Sequence, residues 1–172
     1  MGFEAVSLWE CLHDGELMSC NTNHLERTVT LEFSVDHLDL NVLLTVDEVA
    51  SVRAIGHFRR VGKFDEPDDI SPEELTRLIE EYRAKWREES VTWLDFELAL
   101  STDPLQIMDA NFVTDEDSKT LRLGGFLNGE KFNDIYFDVF VRGKDFSITR
   151  SDGDNLSLES FRRLGRKYWE EM

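Results

Sequence analysis

Apolar and polar side chains alternate regularly over residues 28–35, where Val29, Leu31, Phe33 and Val35 share one side. Strict alternation predicts a half-buried antiparallel strand. The same period, or a short run of β-branched and aromatic residues between turn residues, predicts further strands at 16–21, 41–46, 49–58, 105–113, 120–127, 135–142 and 146–150. The chain is therefore predicted to be rich in antiparallel sheet.

A helical period governs residues 71–89. Ser71 is placed to cap a helix, Glu74 completes a capping box, and Pro72 occupies the first helical position. The apolar positions that follow have the spacing of one buried stripe: Leu75, Leu78, Ile79, Tyr82 and Trp86. This pattern predicts an amphipathic helix that ends near Glu89.

Three other segments have helical features. Residues 158–171 predict a second amphipathic helix, and residues 3–12 predict a short one. Residues 91–101 fit two structures, because Leu94, Phe96, Leu98 and Leu100 alternate as in a strand. The Thr92 and Asp95 pair is typical of a helix cap, and it favours a short helix there.

The two amphipathic helices predict an internal duplication. Aligning Ser71 with Ser157 places Leu75 on Phe161 and Tyr82 on Tyr168, and Glu16-Leu17-Met18 resembles Gln106-Ile107-Met108. The alternative is that two unrelated amphipathic helices align equally well. We predict one α+β domain over residues 1–172, with pseudo-repeats 14–89 and 103–172 that each hold about four strands and a helix and share one core.

Composition narrows the classes of partner. The 172 residues carry a net charge of −17, which opposes binding to nucleic-acid phosphates and to anionic lipid and favours a basic protein partner. The first residues show neither a basic segment nor a long apolar run, so we expect a cytoplasmic protein without a membrane span. Cys11 and Cys20 fit neither a metal knuckle nor a disulfide framework, and they predict reduced thiols.

The densest polar group is His13-Asp14-x-Glu16. These residue types can ligate a metal or exchange protons, with His57 as a further candidate. The alternative is an ordinary turn in which Asp14 bonds the local backbone. The sequence contains no HExxH motif, phosphate-binding glycine loop or nucleophile elbow, so we predict neither catalytic residues nor a cofactor.

Two further features suggest binding. The acidic segments 65–69 and 115–117 present clustered carboxylates, and Trp169 falls off the apolar stripe of its helix, where it can anchor a contact. The candidate binding residues are His13, Asp14, Glu16, Asp65, Glu66, Asp68, Asp69 and Trp169.

The opening Leu12-His13-Asp14-Gly15-Glu16-Leu17, followed by Glu26-Arg27-Thr28-Val29-Thr30-Leu31, resembles small uncharacterised bacterial proteins that begin with Leu-His-Asp-x-Glu-Leu. Some proteins with this opening are classed as immunity proteins of polymorphic toxin systems. The resemblance covers about the first predicted strand pair. It implies an acidic, non-enzymatic cytosolic protein that binds another protein.

Three functional hypotheses follow. The first is a module that binds a basic protein. The second is a small-ligand or metal-dependent enzyme that uses His13, Asp14 and Glu16. The third is a nucleic-acid mimic in which the acidic segments replace phosphates.

Overall fold

The computed structural model of the chain describes residues 4–59, 71–83, 86–127 and 135–172. Within these ranges it contains eleven strands and four α-helices. The strands are β1 (Glu4–Ser7), β2 (Glu16–Asn23), β3 (Thr28–Val35), β4 (Leu40–Asp47), β5 (Ser51–Arg59), β6 (Trp86–Val91), β7 (Leu105–Thr114), β8 (Lys119–Leu127), β9 (Ile135–Gly143), β10 (Asp145–Arg150) and β11 (Asn155–Leu156). The helices are α1 (Trp9–Leu12), α2 (Pro72–Arg83), α3 (Trp93–Leu100) and α4 (Leu158–Glu171). The predicted α+β class is confirmed.

The described strands form one antiparallel sheet in the order β11-β10-β4-β3-β2-β7-β8-β9-β5-β6, and β1 pairs with the end of β7. Alternation places one side of each long strand in the core. Val29, Leu31, Phe33 and Val35 of β3 are fully buried, as predicted. The residues between them, such as Thr30 and Glu32, lie on the other, partly exposed face.

The sheet is strongly curved, because the ends of β4 and β9 lie side by side. The Lys144 amide donates to the Asp47 carbonyl at 3.0 Å, and the Ala50 amide donates to the Arg142 carbonyl at 2.8 Å. Gly143 permits this approach, since a Cβ there would collide with the Val46 side chain. The curvature gives the domain one continuous core.

Two predicted helices are shorter than expected. Ser71 does cap α2, since its Oγ accepts from the Glu74 amide at 3.3 Å. The helix nevertheless ends at Arg83, and residues 86–91 form β6, which pairs with β5. Pairing with β5 satisfies the backbone of this segment and overrides its helical spacing.

The predicted helix over residues 3–12 is also corrected. Glu4–Ser7 forms β1 on β7, and only Trp9–Leu12 is helical. By contrast, the short helix predicted within residues 91–101 is confirmed as α3. Its cap is Thr92, whose Oγ1 accepts from the Asp95 amide at 3.1 Å.

Candidate functional site

His13 is positioned by a sharp turn between α1 and β2. Its amide donates to the Trp9 carbonyl at 2.9 Å, and the next residue, Asp14, has a left-handed backbone with φ of 62°. Gly15 follows where a Cβ would lie 3.0 Å from the carbonyl oxygens of Leu12 and Ser34. Asp tolerates a left-handed backbone and Gly tolerates a close backbone approach, so the Asp-Gly pair serves the turn that follows His13.

His13 is one of five aromatic rings that form a cluster. We call Trp9, His13, His37, Tyr168 and Trp169 the aromatic patch. Trp9 stacks on Trp169 with ring centroids 5.1 Å apart, and His13 lies 4.4 Å from Trp9. His37, in the turn between β3 and β4, lies 4.8 Å from Tyr168 and 5.9 Å from Trp169. The patch thus joins residues from three separate parts of the chain.

The close approach of α4 to α1 holds the patch together. Trp169 Nε1 donates to the Glu10 carbonyl at 3.0 Å, and Cys11 Sγ donates to the Phe161 carbonyl at 3.4 Å. Gly165 faces the same point, where a Cβ would lie 2.5 Å from Glu10 O. The glycine allows the two helices to touch, and this contact aligns the two indole rings.

Trp169 was predicted to lie off the apolar stripe of its helix and to anchor a contact. Its ring is half-buried and its nitrogen is satisfied, whereas Trp9 remains 38% exposed. The spacing of Trp169 along its own helix did not indicate that α1 would pack against it. Within the patch, Trp9 is the side chain that offers most surface to solvent, and its spacing in the sequence is that of an ordinary core residue.

The histidines of the patch are poorly solvated. Burial lowers the pKa of His37 below its usual value, and this outweighs the Glu10 carbonyl, Asp14 and Asp36, which act to raise the pKa. His37 Nε2 is buried with no hydrogen bond of good geometry among the described residues. The same holds for His13 Nδ1, which lies 3.2 Å from Asp14 Oδ2 but at an unfavourable angle. The neutral imidazole is thus favoured at His37.

The structure does not join His13, Asp14 and Glu16 into one site. Glu16 begins β2, where it pairs with Ser34 and Gln106, while Asp14 is exposed in the turn. The described part of the chain has no group of three or more His, Cys, Asp or Glu side chains placed to hold a metal.

Neither cysteine is prepared for nucleophilic chemistry. Burial raises the pKa of Cys11 to about 12, and the neighbouring Glu10 adds to the effect. Burial also raises the pKa of Cys20 to about 12, with Glu97 acting in the same direction. Both thiols are free and stay protonated at neutral pH, so they are poor nucleophiles.

The structure describes only the second of the two acidic segments. Asp65, Glu66, Asp68 and Asp69 lie outside the described residues. In the segment 115–117, Asp115 Oδ1 accepts from the Ser118 amide and hydroxyl, both at 2.8 Å, and Oδ2 accepts from Arg142 at 3.2 Å. These bonds lower the pKa of Asp115, and the bond from the Ser118 hydroxyl has the largest effect. Its carboxylate is therefore engaged by its own turn and by Arg142 of β9.

A second polar cluster lies on the outer face of β5, β8 and β9. Asp138 is 15% exposed, and it binds His57 Nε2 at 2.9 Å through Oδ2 and Arg122 Nη2 at 3.2 Å through Oδ1. Tyr136 lies over Gly124, and burial, Asp138 and Asp109 raise its pKa. Tyr136 and Asp138 alternate with the buried residues Phe137 and Val139, and this alternation in the sequence could have shown that the two polar side chains share the outer face. The cluster ties three strands together. It is separate from the aromatic patch.

One cleft of about 640 Å³ lies near the start of α4. It is mostly apolar, with Val6, Phe112, Phe146, Ile148, Leu156 and Leu158 in its lining. Lys119 at its edge faces Asp145 at 3.8 Å. The cleft offers an apolar space without a convergent set of reactive groups.

Comparison with protein-family models, curated proteins and solved structures finds no match for this chain. None of the described helices is long and apolar enough to cross a membrane.

Proposed function

We propose that this protein is a non-enzymatic module that binds a protein partner through the aromatic patch, as an immunity protein binds its toxin. The observation that carries the proposal is Trp9, 38% exposed and stacked on the anchored Trp169. Tryptophan and tyrosine are enriched among the residues that dominate binding energy at protein interfaces. An exposed indole on a fixed aromatic base is the kind of side chain that such an interface uses.

The rigidity of the patch supports the same interpretation. Trp169 is held by Glu10, and Tyr168 packs edge-on against Trp169 with centroids 5.2 Å apart. Side chains that are already fixed lose little conformational entropy when a partner binds. The patch therefore presents its surface in a preorganised form.

Charge supports a basic partner. The net charge of −17 attracts a positively charged protein and speeds its association at low ionic strength. The two free thiols fit the reducing cytoplasm, which is the compartment that we propose.

The two other hypotheses have less support. An enzyme that uses His13, Asp14 and Glu16 lacks converging groups, since Glu16 belongs to the strand pair of β2. A nucleic-acid mimic requires a spaced row of free carboxylates, and Asp115 is already bonded to Ser118 and Arg142.

We also propose that the chain arose by duplication, in a register that differs from the helix alignment. The sheet order reads the same from both ends when β2 to β6 are matched with β7 to β11. Glu16 lies opposite Gln106 at the centre, and equivalent irregularities occur at Met18 and Met108. In this register α3 matches α4, because α3 follows β6 and α4 follows the equivalent strand β11. Helix α2 is then an addition to the first half.

Site-specific photocrosslinking tests the binding proposal even though the partner is unidentified. A photoreactive benzoylphenylalanine replaces Trp9 in the full chain, and cells that produce the protein are irradiated. We expect a protein adduct whose mass spectrum identifies a basic partner. For the immunity hypothesis, the gene of that partner should be a toxin gene beside this one.

The matched control carries the same probe at Leu25, which is 97% exposed and lies away from the patch on the turn after β2. Adducts no stronger at position 9 than at position 25 would refute binding through the aromatic patch. A partner that is a metabolic enzyme or a small-molecule carrier would refute the immunity hypothesis alone.

A further inference from the structure

Helix α3 exposes two leucines on one face. Leu94 is 63% exposed and Leu98 is 56% exposed. Residues four apart lie one above the other on a helix, so the two side chains form a single apolar strip. We call this strip the leucine face of α3. The opposite side of the helix is buried through Phe96, Ala99 and Leu100.

The fold itself does not require leucine at these positions. Helices α3 and α4 begin alike: each follows a strand that closes an edge of the sheet, and each is capped by a hydroxyl, from Thr92 and Ser157 respectively. The second and sixth residues after the cap are Leu94 and Leu98 in α3. In α4 they are Glu159 and Arg163, which are also exposed. The same scaffold thus carries charged residues at one helix and leucines at the other.

The chain around the leucine face is strongly acidic. Residues 88–118 contain nine Asp and Glu and no Lys or Arg, namely Glu88, Glu89, Asp95, Glu97, Asp103, Asp109, Asp115, Glu116 and Asp117. Residues 1–26 contain five and no Lys or Arg, namely Glu4, Glu10, Asp14, Glu16 and Glu26. These two stretches account for most of the excess negative charge of the chain.

Packing of α3 on β2 brings the two stretches together. Trp93 Nε1 donates to Thr22 Oγ1 at 2.9 Å, and Thr22 Oγ1 donates to Glu97 Oε1 at 2.5 Å. The leucine face therefore lies on a helix whose own stretch, like that of its neighbouring strand β2, carries no Lys or Arg. Asp95, which is exposed, adjoins Leu94 along the helix and places a carboxylate beside the apolar strip, whereas the Glu97 carboxylate next to Leu98 is engaged by Thr22.

We propose that the leucine face of α3 docks a basic amphipathic helix of a protein partner. Leu94 and Leu98 would contact its apolar stripe, and the surrounding carboxylates would face its Lys and Arg side chains. This is the helix-in-groove type of recognition combined with charge complementarity. The inference rests on the proposed function only in that the occupant belongs to a protein, since the face is separate from the aromatic patch.

The test uses a synthetic peptide of about 15 residues, which is long enough for four helical turns. It carries leucines at i, i+3, i+4 and i+7 and lysines on the other face. Binding to the full chain is measured by fluorescence anisotropy. We expect the peptide to bind more tightly than a scrambled peptide of equal composition, because only the first forms a stripe. Its affinity should fall as salt is raised.

The decisive variant is L94S/L98S, with L25S as the matched control that removes an exposed leucine elsewhere. Each leucine in the contact contributes on the order of a tenfold change in Kd, so the double variant should bind about 100-fold more weakly. L25S should leave Kd unchanged. Circular dichroism of each variant verifies that the fold is intact.

Three results would overturn the inference: equal binding by L94S/L98S and the unaltered chain, equal binding of the scrambled peptide, or sedimentation that shows a dimer for the unaltered chain and a monomer for L94S/L98S. The photocrosslinking result at position 9 is independent. If no adduct forms at position 9 but the peptide binds tightly and its binding depends on Leu94 and Leu98, the aromatic-patch proposal is refuted and the present one is retained.

Discussion

Gly165 provides a sharp test of how α4 meets α1. A Cβ at this position would lie 2.5 Å from Glu10 O, 2.6 Å from Glu10 C and 2.9 Å from Cys11 N. Non-bonded heavy atoms prefer separations of about 3.5–4.0 Å. Because all three atoms belong to the backbone, no side-chain rotation relieves the overlap, and α4 must move away from α1.

The magnitude for Gly165→Ala follows from three contributions. Overpacking costs about 1–3 kcal/mol. Loss of the bond from Trp169 to the Glu10 carbonyl costs about 1 kcal/mol. Alanine in a helix interior restores about 1 kcal/mol relative to glycine. We therefore expect the free energy of unfolding to fall by about 1–3 kcal/mol, with Tm lower by about 2–4 °C for each kcal/mol.

Urea unfolding followed by tryptophan fluorescence measures this change. The exciton signal that two stacked indoles give in circular dichroism should weaken in parallel, because Trp9 and Trp169 separate. Arg163→Ala, at an exposed position of the same helix, is the matched control and should change stability by no more than about 0.5 kcal/mol. A more stable G165A protein with an unchanged exciton signal would refute the close contact of α1 and α4.

Two further predictions concern the titratable clusters. Asp138→Asn should lower the free energy of unfolding, measured by urea titration, by about 1.5–3 kcal/mol, because it weakens charge-assisted bonds to His57 and Arg122. A loss below about 0.5 kcal/mol would show that the cluster does not tie the strands together. His37 has a lowered pKa in the folded protein, so the unfolded chain binds the proton more tightly and stability should fall as pH drops below the unfolded value of about 6.5. His37→Gln should reduce this loss below about pH 6.5, and an unchanged pH profile of the urea midpoint would contradict the role assigned to burial.

Local patterns predicted much of the sheet and resolved the one segment that fitted both helix and strand. The alternation of residues 28–35 places Val29, Leu31, Phe33 and Val35 in the core, as the structure confirms. The Thr92 and Asp95 cap selected helix over strand for residues 93–100, because it satisfies backbone amides that only a helix start leaves open. Signals of this kind need only neighbours within a few positions.

Predictions failed where a distant strand competed with local spacing. Trp86 continued the helical stripe of residues 71–82, but residues 86–91 pair with β5 and are extended. Residues 4–7 likewise pair with β7 instead of extending α1. Backbone hydrogen bonding to another strand outweighs the small differences in helix propensity.

The sequence by itself determined the fold class, the alternation of the core strands, the helix caps and the acidic charge. Only the tertiary structure decided the candidate sites. Trp9 and Trp169 are 160 positions apart, and they stack because Gly165 lets α4 touch α1. Leu94 and Leu98 alternate with Phe96 along the chain, and only the helical turn of α3 separates an exposed face from a buried one. Residues 93–100 are apolar on both sides, so which side meets solvent depends on what packs against the helix, and their local pattern does not contain that information.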